Sequence, residues 1–210
     1  MQARVSVVLV NGLWMPDAAL WVLARRLRRA GFHVHAFSYP TVHEDLRANA
    51  ARLQQYLQTV PGEVVHLVGY SLGGLVVRAL FRHYPEQRPG RILLLGCPQQ
   101  GSRAALALAA SRPGRCLVGR SLADLNAGRP QAWTWPKREI GVIAGTLALG
   151  LGRLVASLAR PHDGTVSVAE TAMPDASDQL TLPVAHFGLL LSKEVARQAA
   201  GFLRTGRFTS

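Results

Sequence analysis

Apolar residues along this chain alternate between short unbroken runs and longer stretches where they recur every three or four positions. Val5–Val10 is a continuous run rich in β-branched residues, as a strand buried on both faces requires. Asp17–Ala30 has helical spacing, with Leu20, Leu23 and Leu27 on one stripe, and stops at Gly31, a suitable C-terminal cap. Phe32–Phe37 reads as a second strand and Glu44–Thr59 as a second helix, broken by Pro61-Gly62. Val64–Val68, Arg91–Leu95 and Ile140–Ala144 predict the third, fourth and fifth strands, with a helix over Leu72–His83. Leu180–Val184 predicts a sixth strand and Lys193–Leu203 a closing helix. Such alternation implies an α/β fold, a mostly parallel sheet with helices on both faces. Open sheets of this kind keep their ligands at the C-terminal ends of the strands.

The 210 residues suit one compact domain. Between the fourth and fifth strands, residues 99–137 show only short helical patches interrupted by Gly, Pro and Arg. They are expected to form a small cap over the site or plain connecting helices. The net charge of +12 comes almost wholly from arginine. Its one dense cluster, Arg25, Arg26, Arg28 and Arg29, falls opposite the leucine stripe of the first helix and reads as a solvated face. A weak attraction to anionic membrane surfaces is the other reading of that charge. No helix-turn-helix, zinc spacing or aromatic-basic repeat points to nucleic acid. Cys97 and Cys116 have no metal or redox spacing; Cys97 follows a strand and is expected as a buried small hydrophobe, with pairing to Cys116 left open. The absence of a signal-peptide pattern and of a span-length apolar run leads to an expected cytoplasmic location.

Candidate chemistry lies where the third strand meets the third helix. Gly69-Tyr70-Ser71-Leu72-Gly73 matches G-x-S-x-G with a strand before it and a helix after it. A serine hydroxyl is a weak nucleophile unless held accessibly beside a base, which a tight strand-to-helix turn achieves. The glycines remove Cβ atoms that would collide there. The following helix N-terminus favours developing negative charge.

These residues resemble the nucleophile elbow of the α/β-hydrolase superfamily, and the compact chain resembles its small bacterial lipase- and esterase-like members. The resemblance implies the α/β-hydrolase fold and a chain order of nucleophile, acid, histidine. After Ser71 come His83, His162 and His186. His186, just past the last strand, stands where the resemblance places the base. The acids in between are Glu86, Asp124, Glu139, Asp163, Glu170, Asp175 and Asp178. Asp163, in Asp163-Gly-Thr-Val166, resembles the segment that carries the acid in lipase-like relatives; Asp175 and Asp178 are its rivals, and a simple Asp-Gly turn is the alternative.

The resemblance assigns the oxyanion-hole donors to the backbone N–H groups of Leu72 and of Leu13, after Gly12. Relatives often carry His-Gly where this chain has Asn11-Gly12, and histidine where it has Tyr70, which bears on pocket shape and polarity. Trp14, Met15 and Tyr70 are candidate substrate-binding residues; for Trp14, packing of its own loop is an equal reading. Trp133 and Trp135 are expected at the same apolar rim. No metal or cofactor is expected, because His162 and Asp163 alone make no ligand cluster. The implied function is hydrolysis of a small-molecule acyl ester through an acyl-Ser71 intermediate. A thioesterase, amidase or acyltransferase with the same triad, and a non-catalytic binding module, are the alternatives.

Overall fold

A computed structural model describes residues 5–112, 114, 119–121, 124–125, 133–149 and 158–209. Six strands form one sheet: β1 (Val5–Val10), β2 (His33–Phe37), β3 (Val64–Tyr70), β4 (Ile92–Leu95), β5 (Ile140–Gly145) and β6 (Asp178–Leu182). Their order is β2-β1-β3-β4-β5-β6 and every pairing is parallel. The chain steps outward from β1 to β2, then crosses back so that β3 pairs on the other side of β1. That reversal leaves a crevice at the C-terminal ends of β1 and β3, where open sheets bind ligands.

Alternating strand residues feed two cores. Val8, Val10, Val65, Leu67, Ile92, Leu94, Ile140 and Val142 pack with α2 (Leu46–Thr59) and α3 (Leu72–His83). Val7, Leu9, Val68, Tyr70, Leu93, Leu95 and Ile143 face the other way, onto α1 (Trp21–Arg29) and the closing helix Lys193–Thr205. Burial on both faces explains why these strands read as unbroken apolar runs.

The first predicted helix is divided: Asp17–Leu20 is a 3₁₀ turn that leads into α1. The arginine cluster does lie off its buried face, with Arg25, Arg28 and Arg29 exposed. Helix α2 starts two residues late because Asp45 caps it, accepting from Ala48 N–H at 2.8 Å. The sixth strand ends before Pro183 instead of running through Val184, since proline cannot donate to a ladder. Within the expected cap region the structure shows α4 (Arg103–Ala109), capped by Ser102; residues 113, 115–118, 122–123 and 126–132, with Cys116 among them, lie outside the described residues. After β5 come two short helices, α5 (Val168–Thr171) and α6 (Gly188–Leu191), and then the closing helix, α7. Among the described residues no helix is long and apolar enough to cross a membrane.

Candidate active site

Ser71 sits between the last residue of β3 and the first of α3, with φ 52° and ψ −121°. A non-glycine residue in that region is strained by about 1–3 kcal/mol, and persists only where its surroundings dictate it. Here the surroundings are crowded backbone. A Cβ on Gly69 would lie 2.6 Å from Gly74 Cα, and one on Gly73 would lie 2.2 Å from the Val10 carbonyl oxygen. The glycines thus let α3 pack directly against the end of β1. Leu72 opens α3, so its N–H lacks an intrahelical acceptor.

His186 and Asp163 come from two loops beyond β5. His186 Nδ1 and Asp163 Oδ2 are 2.6 Å apart, and the His186 N–H donates to the Asp163 carbonyl oxygen at 2.9 Å. The carboxylate is buried, and its other oxygen accepts from the N–H groups of Thr165 and Val166 at 2.9 and 2.7 Å. These fixed donors hold the side chain in one orientation. Gly96, at φ 57° after β4, forms the floor below the imidazole; a Cβ there would come within 3.1 Å of Nδ1. His162 is turned away and accepts from Gly164 N–H through Nδ1, at 3.0 Å. His83 packs against Trp133, Asp175 is exposed, and Asp178 accepts from Gln179 and Phe208 at the start of β6. Of the acids weighed, Asp163 is the one bonded to His186.

Ser71 and His186 line one cavity of about 420 Å³, a size typical of small-molecule sites. Leu13, Trp14, Met15, Tyr70 and Leu72 line it too, joined by Pro98, Ala104, Ala105 and Leu108 from the segment after β4. Its walls are almost wholly apolar, and Ser71, Ser102, Thr165 and His186 supply the polar side chains apart from the Tyr70 phenol. Ser71 Oγ makes no hydrogen bond to His186 or to any described residue. Bonds of this kind commonly tighten only when substrate is held.

Gly12 is appressed to the elbow: a Cβ on it would lie 3.1 Å from Ser71 Cβ. Asn11 is buried and donates from Nδ2 to the Met15 carbonyl at 2.9 Å, which closes the loop that presents Leu13 and Trp14. Trp14 has φ 57° and is half exposed. Among the described residues it and Ser71 are the non-glycines in the left-handed region, and both face the cavity. Tyr70 touches the cavity, but its hydroxyl donates to the His186 carbonyl at 3.2 Å. Burial, with the Asp163 charge adding to it, pushes that phenol above its ordinary pKa.

Within 99–137, expected as a small cap or as connecting helices, α4 supplies a wall of the cavity. Ser102 before an alanine-leucine run is the cap signal that marks its start. Glu170, one of the acids between Ser71 and His186, instead anchors that wall. It is buried, closes a capping box with Ser167, and accepts from the Arg103 N–H at 2.6 Å. Trp133 and Trp135 do not line the cavity. Both pack around buried Arg78, which donates twice to the Trp133 carbonyl, at 3.2 and 2.7 Å, and lies over the Trp135 ring. Cys97 is buried beneath the elbow, its thiol pushed up to about 12 by burial. Among the described residues no group of three His, Cys, Asp or Glu side chains is placed to hold a metal ion.

Residues 11–112 match the model of a domain of unknown function (DUF7379). No curated protein sequence matches the chain. Solved structures do. The mature form of lipase BlEst2 from Bacillus licheniformis superposes with a TM-score of 0.76 at 21% identity, over 98% of this chain and 93% of that one. A metagenomic carboxyl esterase gives 0.70 at 17% identity, over 89% and 65% of the two chains. Phospholipase PlaB from Legionella pneumophila gives 0.63 at 18%, over 80% and 44%. A parallel sheet in the order described, a strained serine elbow after β3 and these superpositions lead to one conclusion: this chain has the α/β-hydrolase fold.

Proposed function

We propose that the protein is a serine hydrolase of carboxylic esters with an apolar acyl group. The observation that carries this reading is the 2.6 Å Asp163–His186 pair opening on the same apolar cavity as strained Ser71. Ser71 Oγ attacks the ester carbonyl while His186 Nε2 takes its proton. Asp163 receives the Nδ1–H bond, which fixes the tautomer that leaves Nε2 free as a base and stabilises the imidazolium. The negative oxygen of the tetrahedral intermediate is held by the N–H groups of Leu72 and Leu13, each donor contributing roughly 3 kcal/mol. His186 then protonates the departing alcohol. Water, deprotonated by the same nitrogen, attacks the acyl-Ser71 carbonyl, and that proton passes to Ser71 Oγ as the C–Oγ bond breaks and the acid departs.

The lipase and the carboxyl esterase among the superposed structures support this chemistry by analogy of fold. The apolar cavity supports an uncharged acyl chain, since an ionised group there would lose hydration without a countercharge. The test compares purified protein with Ser71→Ala on p-nitrophenyl butyrate and octanoate, and with a fluorophosphonate probe. Turnover falls roughly ten-thousandfold or more in the variant, and labelling disappears. Equal turnover in both proteins overturns the assignment, and an unlabelled, folded wild type leaves a binding module in its place.

A further inference from the structure

Tyr70 occupies the position immediately before the nucleophile and meets three parts of the site at once. Its hydroxyl donates to the His186 carbonyl oxygen at 3.2 Å. Its ring centroid is 5.1 Å from that of the His186 imidazole, the planes inclined by 37°. Its Cδ1 and Cε1 atoms press on Gly12, so that a Cβ there would come within 3.0 and 3.1 Å. The side chain is buried and belongs to the apolar core beneath α1 and α7. Asp163 restrains His186 through Nδ1 and the backbone N–H. Tyr70 restrains the same residue through the carbonyl and the ring.

From this we infer that Tyr70 is a positioning residue, whose hydroxyl tethers the His186 loop to the elbow and keeps the imidazole within reach of Ser71. The inference rests on the ester-hydrolase reading. Two facts separate a tether from a hydroxyl merely satisfying itself. Tyr70 is bonded covalently to Ser71, so a restraint between Tyr70 and His186 is a restraint between the two reacting side chains. The other acceptor load on the same carbonyl, the Leu189 N–H at 3.2 Å, belongs to the histidine's own helical turn and cannot relate the loop to β3. The phenol, raised above its ordinary pKa by burial, remains a donor at neutral pH. A misplacement of the base by a fraction of an ångström slows proton transfer without altering how the acyl chain is held.

Tyr70→Phe deletes the one oxygen and keeps the ring, with Tyr56→Phe as the control for loss of a phenol remote from the cavity. In Tyr70→Phe, kcat for p-nitrophenyl octanoate falls roughly tenfold while KM stays within about twofold. Fluorophosphonate inactivation slows in parallel, and the low-field His186 Nδ1–H proton resonance broadens relative to wild type and to Tyr56→Phe. Unchanged kcat, or an unchanged His186 resonance, overturns the tether. Should wild type fail to label at Ser71, the ester-hydrolase reading falls, and the resonance still decides whether Tyr70 fixes the imidazole. If Tyr70→Phe does not fold, the Tyr70 hydroxyl proton of the wild type carries the decision: a slowly exchanging proton with a nuclear Overhauser contact to His186 supports the tether, and a rapidly exchanging one overturns it.

Discussion

The two ends of the sheet each carry a cavity, a histidine and a set of polar groups, yet they are built on opposite logic. At the N-terminal end a cleft of about 490 Å³ is lined by Val64, His66, Pro89, Gly90, Arg91, Lys137, Arg138 and Glu139. There His66, Arg91, Arg138 and Glu139 are engaged with the protein itself. His66 Nδ1 accepts from the Arg91 N–H at 2.8 Å; Arg91 pairs with Glu139 at 2.6 Å and also donates to carbonyls at the end of α7. Arg138 donates to the carbonyls of Gln87, Arg88 and Gly90. At the C-terminal end the reactive groups are held without being consumed: Asp163 and the Gly96 floor fix His186, while Ser71 Oγ makes no bond among the described residues. Paired charges mark the first end; uncommitted, oriented groups in apolar surroundings mark the second. Catalysis requires the latter, because a donor or acceptor already satisfied has nothing to offer a transition state.

The comparison breaks first at Asp163. In Asp163→Asn the amide keeps its volume but presents a donor to Nδ1, which favours the wrong tautomer, and kcat for ester hydrolysis drops roughly a thousandfold to ten-thousandfold. Steady-state kinetics check this; a loss below tenfold would mean that the acid acts elsewhere.

A middle-sized effect concerns the apolar wall. Ala105 is buried on α4 and faces the cavity, so Ala105→Leu fills space that a long acyl chain would use. The ratio of kcat/KM for octanoate over butyrate falls by roughly tenfold. An unchanged ratio across a chain-length series places the acyl group elsewhere.

The smallest effect on activity comes from the opposite end. Burial, with the Arg91 charge adding to it, lowers the His66 pKa from 6.5 to about 4. Between those values the unfolded chain binds the proton and the folded chain does not, so stability is full above pH 6.5 and declines as pH falls toward 4, by up to about 3 kcal/mol. His66→Gln flattens that part of the stability profile in urea melts at several pH values, and leaves ester turnover at neutral pH within about twofold. A tenfold loss of turnover would show that the two ends are coupled.

Legibility in the sequence followed burial. Val5–Val10 and Leu72–His83 occupy the residues that periodicity predicts, because their neighbours are covered on both faces or along a full stripe. Asp178–Leu182 was displaced because an edge strand is half exposed, and its Gln179 and Thr181 break the apolar run. The elbow was visible because strand, glycines, serine and helix are contiguous. Which of the two expectations for 99–137 holds at α4 was not, since alanines on a short helix carry little pattern and their role depends on what they face.

Local order along the chain was therefore determined by the sequence alone: which segments become strands or helices, where the backbone turns sharply, and which serine stands on that turn. Tertiary structure decided the rest. It brought a carboxylate and an imidazole 23 positions apart into contact, bonded the Tyr70 hydroxyl to the His186 carbonyl, and committed Glu170 to an anchor. The reason is that local signals act over a few residues, through sterics and periodicity. Which polar groups remain unspent depends on neighbours that only the folded sheet brings together.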